Sequence, residues 1–303
     1  MKILNLIFVF LFCALSAQKT LPFDSLRIKE ARDLFADDYG SIYLYKSKDF
    51  SFTKYDSLGN QLGKMMFTVP FRVQGVQNPL SVALFSENAQ EMKFVDQNLN
   101  EIQKVDFKQK FTFIKSAYAE DLQQIWLLDE STKRLIQYNF RNDTTVNSYS
   151  FAPNFDDLID LMVFENKVYF LSKNSFKVYN LKFEKIFEAA VDNAKRFRRE
   201  NDVIVVVTKN SILKYIPETE LLKIFEDPDA QIVDKNTRAY FEIKGNKLYL
   251  YTQENYKNKK DVKEEQSPEE VEKTIEQLEK EKAEQPDILK LMKEISDVQS
   301  LGI

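Results

Sequence analysis

The chain has 303 residues, with 43 basic and 47 acidic side chains, a net charge of −4 and no histidine. Without histidine, the usual general base and the commonest metal ligand are both missing. The mild acidity argues against a nucleic-acid partner, which wants a basic field.

The first residues read as an export leader. Lys2 supplies a short positive region, and Ile3 to Leu15 is almost wholly apolar, broken only by Asn5. That run is 13 residues long, too short for a bilayer span, which needs roughly 20. Ser16 and Ala17 are small, so cleavage is expected after Ala17, before Gln18. Cys13 raises lipid attachment as an alternative, but Phe12 stands where a small residue is wanted. Cleavage removes the only cysteine and Lys2, leaving a net charge of −5 and no disulfide or thiolate chemistry. The expected location is the periplasm, in association with the outer membrane. No later segment is apolar enough to cross a membrane.

From Gly40 onward one pattern recurs with a period near forty. Hairpins align from Tyr55 (YDSLGNQL), Val95 (VDQNLNEI), Tyr138 (YNFRNDTT), Tyr179 (YNLKFEKI) and Tyr215 (YIPETELL), at spacings of 40, 43, 41 and 36. Four of the five carry Asp or Asn in second place, where a short polar side chain hydrogen-bonds the backbone just ahead and starts a turn. About ten residues before each hairpin lies an apolar or alternating run: SIYLYK, SVALFS, QIWLLD, KVYFLS and DVIVVV. A sixth copy, NKLYLYTQ from Asn246 to Gln253, has a strand but no following hairpin.

Four-stranded units every 40 to 45 residues are the signature of propeller blades. A single four-stranded sheet cannot bury both faces, whereas radial stacking buries them against neighbours. The expected fold class is therefore all-β: a β-propeller of about six blades over residues 18–256. Five blades are whole and the last is composite, with Leu21 to Ile28 placed to supply an outer strand. Trp126, Tyr43, Tyr169 and Tyr249 are expected on equivalent strands. The six glycines are few for a propeller, so a two-sheet sandwich stands as the alternative.

Residues 257–303 are different material, expected as a charged helical tail. From Lys257 to Lys282, 7 lysines and 9 acids fill 26 positions. Ser267-Pro268-Glu269-Glu270 reads as a helix start, with Val271, Thr274, Ile275 and Leu278 as a thin apolar stripe. After Pro286 a second helix places Ile288, Leu291, Met292, Ile295 and Val298 on one face. That face packs on the propeller or docks into another protein. Leu291, Met292, Ile295 and Val298 are the candidate partner-binding residues.

Candidates for chemistry are few. Ser51-x-x-Lys54 and Ser211-x-x-Lys214 match a Ser-Lys catalytic string, but in strands residues three apart point to opposite faces. Asp37-Asp38 and Asp156-Asp157 with Asp160 offer carboxyl pairs for glycoside hydrolysis; beside turns, such acids are expected to be solvated. Asp227-Pro228-Asp229 lacks the dense oxygen spacing of a calcium loop. Lys195-Arg196-Phe197-Arg198-Arg199 is the one concentrated basic run, expected as a solvated strand or loop, with contact to an acidic partner as the alternative. No catalytic, cofactor or metal residue is expected, and no cofactor.

Val76-Gln77-Asn78-Pro79-Leu80 to Phe85, continued by Phe94-Val95-Asp96-Gln97-Asn98-Leu99-Asn100-Glu101-Ile102, resembles a family of periplasmic propeller-like proteins, the plug subunits of the type IX secretion translocon. The resemblance covers mainly the second repeat. It implies a monomeric, non-enzymatic subunit bound at the periplasmic mouth of an outer-membrane barrel, sealing it when no substrate is present. No catalytic or ligand motif comes with it. Asp24-Ser25-Leu26 and Asp56-Ser57-Leu58 also resemble an O-glycosylation motif of bacteria with that secretion system. A carbohydrate-active propeller enzyme is the alternative function.

Overall fold

The computed structural model describes residues 19–21, 23, 28–253 and 256. The expected leader and tail, with Leu291, Met292, Ile295 and Val298, lie outside these residues, as do Asp24, Ser25 and Leu26.

Among the described residues, twenty-four strands form six four-stranded antiparallel sheets. Strand β1 is Lys19–Leu21. Blade 1 is β2 (Ala31–Ala36), β3 (Ile42–Lys46), β4 (Ser51–Tyr55) and β5 (Gln61–Met66). Blade 2 is β6 (Arg72–Val73), β7 (Val82–Ser86), β8 (Glu91–Val95) and β9 (Glu101–Asp106). Blade 3 is β10 (Ile114–Ala119), β11 (Gln124–Asp129), β12 (Arg134–Asn139) and β13 (Thr144–Ser150). Blade 4 is β14 (Leu158–Phe164), β15 (Lys167–Ser172), β16 (Ser175–Asn180) and β17 (Lys185–Ala190). Blade 5 is β18 (Ala194–Glu200), β19 (Val203–Thr208), β20 (Ser211–Ile216) and β21 (Glu220–Glu226). Blade 6 is β22 (Ile232–Lys235), β23 (Ala239–Lys244), β24 (Lys247–Thr252) and β1. The first strand of each blade is innermost. The architecture is the expected six-bladed propeller, not a sandwich.

Burial follows radial position. Second strands such as β7 and β11 are buried along nearly their whole length, and they read as continuous apolar runs because both faces meet neighbouring blades. Outer strands such as β5 and β13 are largely exposed. The core is a series of layers between blades. Leu34, Leu44, Phe241 and Leu248 belong to one such layer between blades 6 and 1, and Tyr43, Phe52, Leu84 and Val95 to another between blades 1 and 2.

The five aligned hairpins are the five turns from third to fourth strand, as expected. In four of them the second residue works as the turn rule requires. Asp56 accepts from Leu58 N and Asn60 N at 2.9 and 2.8 Å, Asp96 from Asn98 N and Asn100 N at 2.8 Å each, Asn139 from Arg141 N at 3.1 Å and Asn180 from Lys182 N at 2.9 Å. These turns also answer the scarcity of glycine. Gly59 takes the left-handed conformation in the first, while Leu99, Asp143, Phe183 and Glu218 do so in the others.

Two expectations need correction. The closing strand is Lys19–Leu21 rather than a strand within Leu21 to Ile28: Lys19 pairs opposite Leu250, Thr20 opposite Tyr249 and Leu21 opposite Leu248. Ile28 instead lies buried in the layer between blades 6 and 1. The sixth copy was also aligned one strand too late. Strand β24, with Tyr249, is the third strand of its blade, and the counterpart of β3, β11 and β15 is β23. Tyr249 is therefore not equivalent to Tyr43, Trp126 and Tyr169. Alternating aromatic and aliphatic residues suit second and third strands alike, so periodicity could not separate them.

Candidate functional site

The centre of the propeller is lined by the inner strands, and a repeated irregularity shapes it. In blades 1, 3, 4 and 5 the inner strand slips register against its neighbour just before Asp33, Ser116, Asp160 and Arg196. A bulge of this kind inserts one extra residue and re-aims the side chains around it. The inserted residues are Arg32, Lys115, Ile159 and Lys195. Three of them, Arg32, Ile159 and Lys195, line the cavity where the inner strands begin.

On the seam between blades 5, 6 and 1 charged side chains interlock. Arg196 Nη2 lies 2.8 Å from Asp234 Oδ1 and donates to Leu34 O at 2.8 Å. Arg198 Nη1 donates to Ala36 O at 3.0 Å and lies 3.5 Å from Asp234 Oδ2; its Nε donates to Glu200 at 2.8 Å. Asp234 Oδ2 in turn accepts from Ala36 N at 2.7 Å, and Lys235 donates to Glu200. Arg198 and Asp234 are 1% and 0% exposed, so water does not screen them and each charge depends on the others. In this seam Arg198 Nη2 and Asp234 Oδ1 are left without a hydrogen-bond partner among the described residues, Oδ1 being answered by the Arg196 charge.

A second contact crosses the channel. Asp160 on β14 accepts from Phe197 N of blade 5 at 2.8 Å and from Leu161 N at 3.0 Å, and faces Arg72 of blade 2 at 3.5 Å. Burial pushes the Asp160 carboxyl above its ordinary range, while Arg72 and Arg196 pull the other way.

Two cavities open at opposite ends. One, of about 460 Å³, lies where the inner strands begin, and Arg32, Arg72, Lys195, Arg196, Asp33 and Glu87 are its charged lining. The other, of about 620 Å³, lies between blades 2 and 3 on the face of the first-to-second and third-to-fourth strand turns, with Gln74, Asn78, Tyr118, Glu120 and Arg199 in its lining. This second face also carries Tyr39, Leu58, Leu80 and Leu122, at 78%, 68%, 65% and 41% exposure. Among the described residues, the other large exposed apolar side chains are on outer strands, and the opposite face shows none.

The residues singled out in the sequence are mostly engaged elsewhere. Ser51 Oγ donates to Asp49 at 2.7 Å and Lys54 to Gln97 O at 3.0 Å. Ser211 Oγ lies 2.8 Å from Thr208 Oγ1. Neither Ser-Lys string forms a pair. Asp156 is exposed, but Asp37 and Asp160 are buried, which corrects their expected solvation. Asp37 accepts from Tyr39 N, Ser41 N and the Tyr43 hydroxyl at 2.9, 2.7 and 3.0 Å, closing the first turn of blade 1. Burial and the Asp37 charge push the Tyr43 phenol well above its ordinary range. Asp227 and Asp229 both pair with Lys244. The run from Lys195 to Arg199 is not a solvated strand: β18 is an inner strand, and Arg196 and Arg198 are buried because Asp234 and the blade 1 carbonyls take up their charge and donors. Sequence reasoning missed Arg72, Glu200 and Asp234. The mixed charge of ARDLFA and AKRFRRE was the one available signal, since outward-facing strands read the same way.

No protein-family model matches the chain, and no curated protein matches it. Solved structures do. A streptogramin B lyase is 14% identical with a TM-score of 0.47, over 78% of this chain and 86% of that one. BamB from Moraxella catarrhalis is 11% identical with a TM-score of 0.33, over 73% and 70%. A protein of Bacteroides fragilis described as exported is 9% identical with a TM-score of 0.43, over 61% and 68%. Likenesses at these values carry no argument about site or partner.

Proposed function

We propose that this protein is a non-enzymatic binding subunit of an outer-membrane protein complex, acting in the periplasm, where it seals a type IX secretion translocon. The observation that carries the non-enzymatic part is the use of the central charges. Glycoside hydrolysis needs two carboxyl groups facing each other across a substrate. Asp37 and Asp160 instead accept hydrogen bonds from their own turn or the next blade, and Asp234 is held between two arginines. The seam these groups build suits a rigid body that presents a surface.

The surface we assign to the partner is the face of Tyr39, Leu58, Leu80 and Leu122, since exposed apolar side chains gathered on one face are characteristic of interaction sites. The residues that resemble the plug family, Val76 to Phe85 and Phe94 to Ile102, include the Leu80 loop on that face and support the finer assignment. We further assign Leu291, Met292, Ile295 and Val298 of the tail to the same partner, as an apolar helix face. Among the described residues no helix is long and apolar enough to cross a membrane; in this reading the barrel belongs to the partner.

The test is recovery of the tagged full-length protein from solubilised outer membranes, followed by mass spectrometry. A large outer-membrane barrel should co-purify in stoichiometric amount, and Asp156→Asn should not change its recovery. Recovery of the protein alone, together with glycan hydrolysis abolished by Asp156→Asn, would overturn the reading.

A further inference from the structure

The cavity of about 460 Å³ at the mouth of the inner strands has a use that neither the seam nor the apolar face accounts for. Its size is within the common range of ligand pockets, about 300–1,000 Å³. Four cations and two carboxylates line it. Both carboxylates are answered: Glu87 by Lys115 at 3.0 Å, and Asp33 by Lys195 and Arg32 at 3.8 and 3.9 Å.

Two of the cavity's three guanidinium groups, those of Arg72 and Arg196, are less well answered. Arg72 has two polar contacts, Ser116 Oγ and Asp160 Oδ1, both at 3.5 Å, at the limit of a hydrogen bond. Its side chain is 34% exposed, and a guanidinium offers five donors. Asp160 answers it only at 3.5 Å, and each of its oxygens already accepts a backbone N–H. Arg196 commits Nη2 to Leu34 O and Asp234 and lies over the Phe35 ring at 4.3 Å. No partner engages its Nε or Nη1 among the described residues. Both arginines line the same cavity. Phe35, Phe71 and Phe85 form the apolar wall beside them. Two of the four inserted residues, Arg32 and Lys195, are basic and line this cavity.

We propose that this cavity is a binding site for a carboxylate carried next to an aromatic or large apolar group, the chemistry of an acidic or C-terminal peptide segment. The carboxylate takes the open donors of Arg72 and Arg196 as a fork, and the apolar group lies against Phe71 and Phe85. The site is at the opposite end of the propeller from Tyr39, Leu58, Leu80 and Leu122, so it stands or falls independently of the proposed partner.

Calorimetric titration of the full-length protein with N-acetylphenylalanine tests it. N-acetylphenylalanine amide removes the charge, acetate removes the ring, and acetyl-Phe-Glu-amide moves the carboxylate from a chain end to a side chain. Saturable binding of N-acetylphenylalanine is expected, about tenfold or more weakened in the amide, in acetate and in Arg72→Gln. The thermal midpoint of Arg72→Gln should match the wild type, since its contacts are long. Binding of acetyl-Phe-Glu-amide would assign the site to acidic side chains as well as chain ends. Should Arg72→Gln fail to fold, Arg72→Lys keeps the charge without the fork and should still weaken binding. Equal affinity for acid and amide, equal affinity for acetate, unchanged binding in the Arg72 variants, or no saturation at millimolar concentration would each overturn the proposal.

Discussion

Arg196 and Asp234 meet at 2.8 Å with both side chains buried, joining the inner strand of blade 5 to that of blade 6. The position matters because blade 6 is the composite one. Among the described residues its outer strand β1 supplies three paired residues, so contacts at the inner edge add to closure. Asp234 also holds Ala36 N of blade 1, which makes one carboxylate common to three blades.

Removing that carboxylate leaves Arg196 buried without its counter-charge and Arg198 with Glu200 alone. Asp234→Ala should therefore cost about 3–5 kcal/mol, a fall in thermal midpoint of roughly 10 °C for a domain of this size. Arg196→Met combined with Asp234→Leu should cost less than the two single changes added together, since no charge of that pair is left behind. A midpoint for Asp234→Ala within a degree or two of wild type would show that the seam does not hold the ring closed.

Asp160 should give a pH signature of its own. Its folded carboxyl is raised by burial, so the folded state holds the proton more tightly than the unfolded state. Its contribution is full below the unfolded value and is lost as pH rises through the folded value. Asp160→Asn should therefore gain relative to wild type as pH climbs from about 4 towards neutrality. Urea unfolding of both proteins across that range reads the difference directly, and a difference that does not change with pH would contradict it.

The turn carboxylates carry the opposite sign. Hydrogen bonds from Asn60 hold Asp56 below its ordinary range, and those from Asn100 do the same for Asp96. Their contribution is present above the unfolded value and lost as pH falls through the folded one. Asp56→Asn and Asp96→Asn keep the acceptor oxygen, so they should lower the midpoint less than the matching alanine changes at pH 7. As pH falls through the folded values, the wild type should lose this advantage and the Asn variants should draw level with it. Equal midpoints for Asn and Ala variants would show that the turns do not use the side-chain oxygen.

Partner recovery should separate the two assigned surfaces. Leu80→Asp with Leu122→Asp places charge on side chains that are already exposed, so the midpoint should hold while recovery falls, each buried anchor being worth about 1–3 kcal/mol. Leu291→Asp with Ile295→Asp should also reduce recovery without moving the midpoint. A lowered midpoint with unchanged recovery for the second pair would remove the tail from the binding surface and assign its apolar face to the protein's own fold.

The repeat was legible in the sequence because its causes are local. A turn that starts with Asp or Asn writes itself into two neighbouring residues, and a strand buried on both sides writes itself as an apolar run, so blade number and the composite last blade followed from spacing alone. The central charges were not legible, because their meaning depends on what stands opposite. Arg198 and Asp234 are 36 positions apart, and Asp160 and Arg72 are 88. On an outer strand the same residues would be solvated. Closing the ring placed β18, β22 and β2 side by side, with one-residue bulges in β18 and β2. Only the tertiary structure decides this, because the cost of a buried charge is set by its neighbours in space and not by those in the chain.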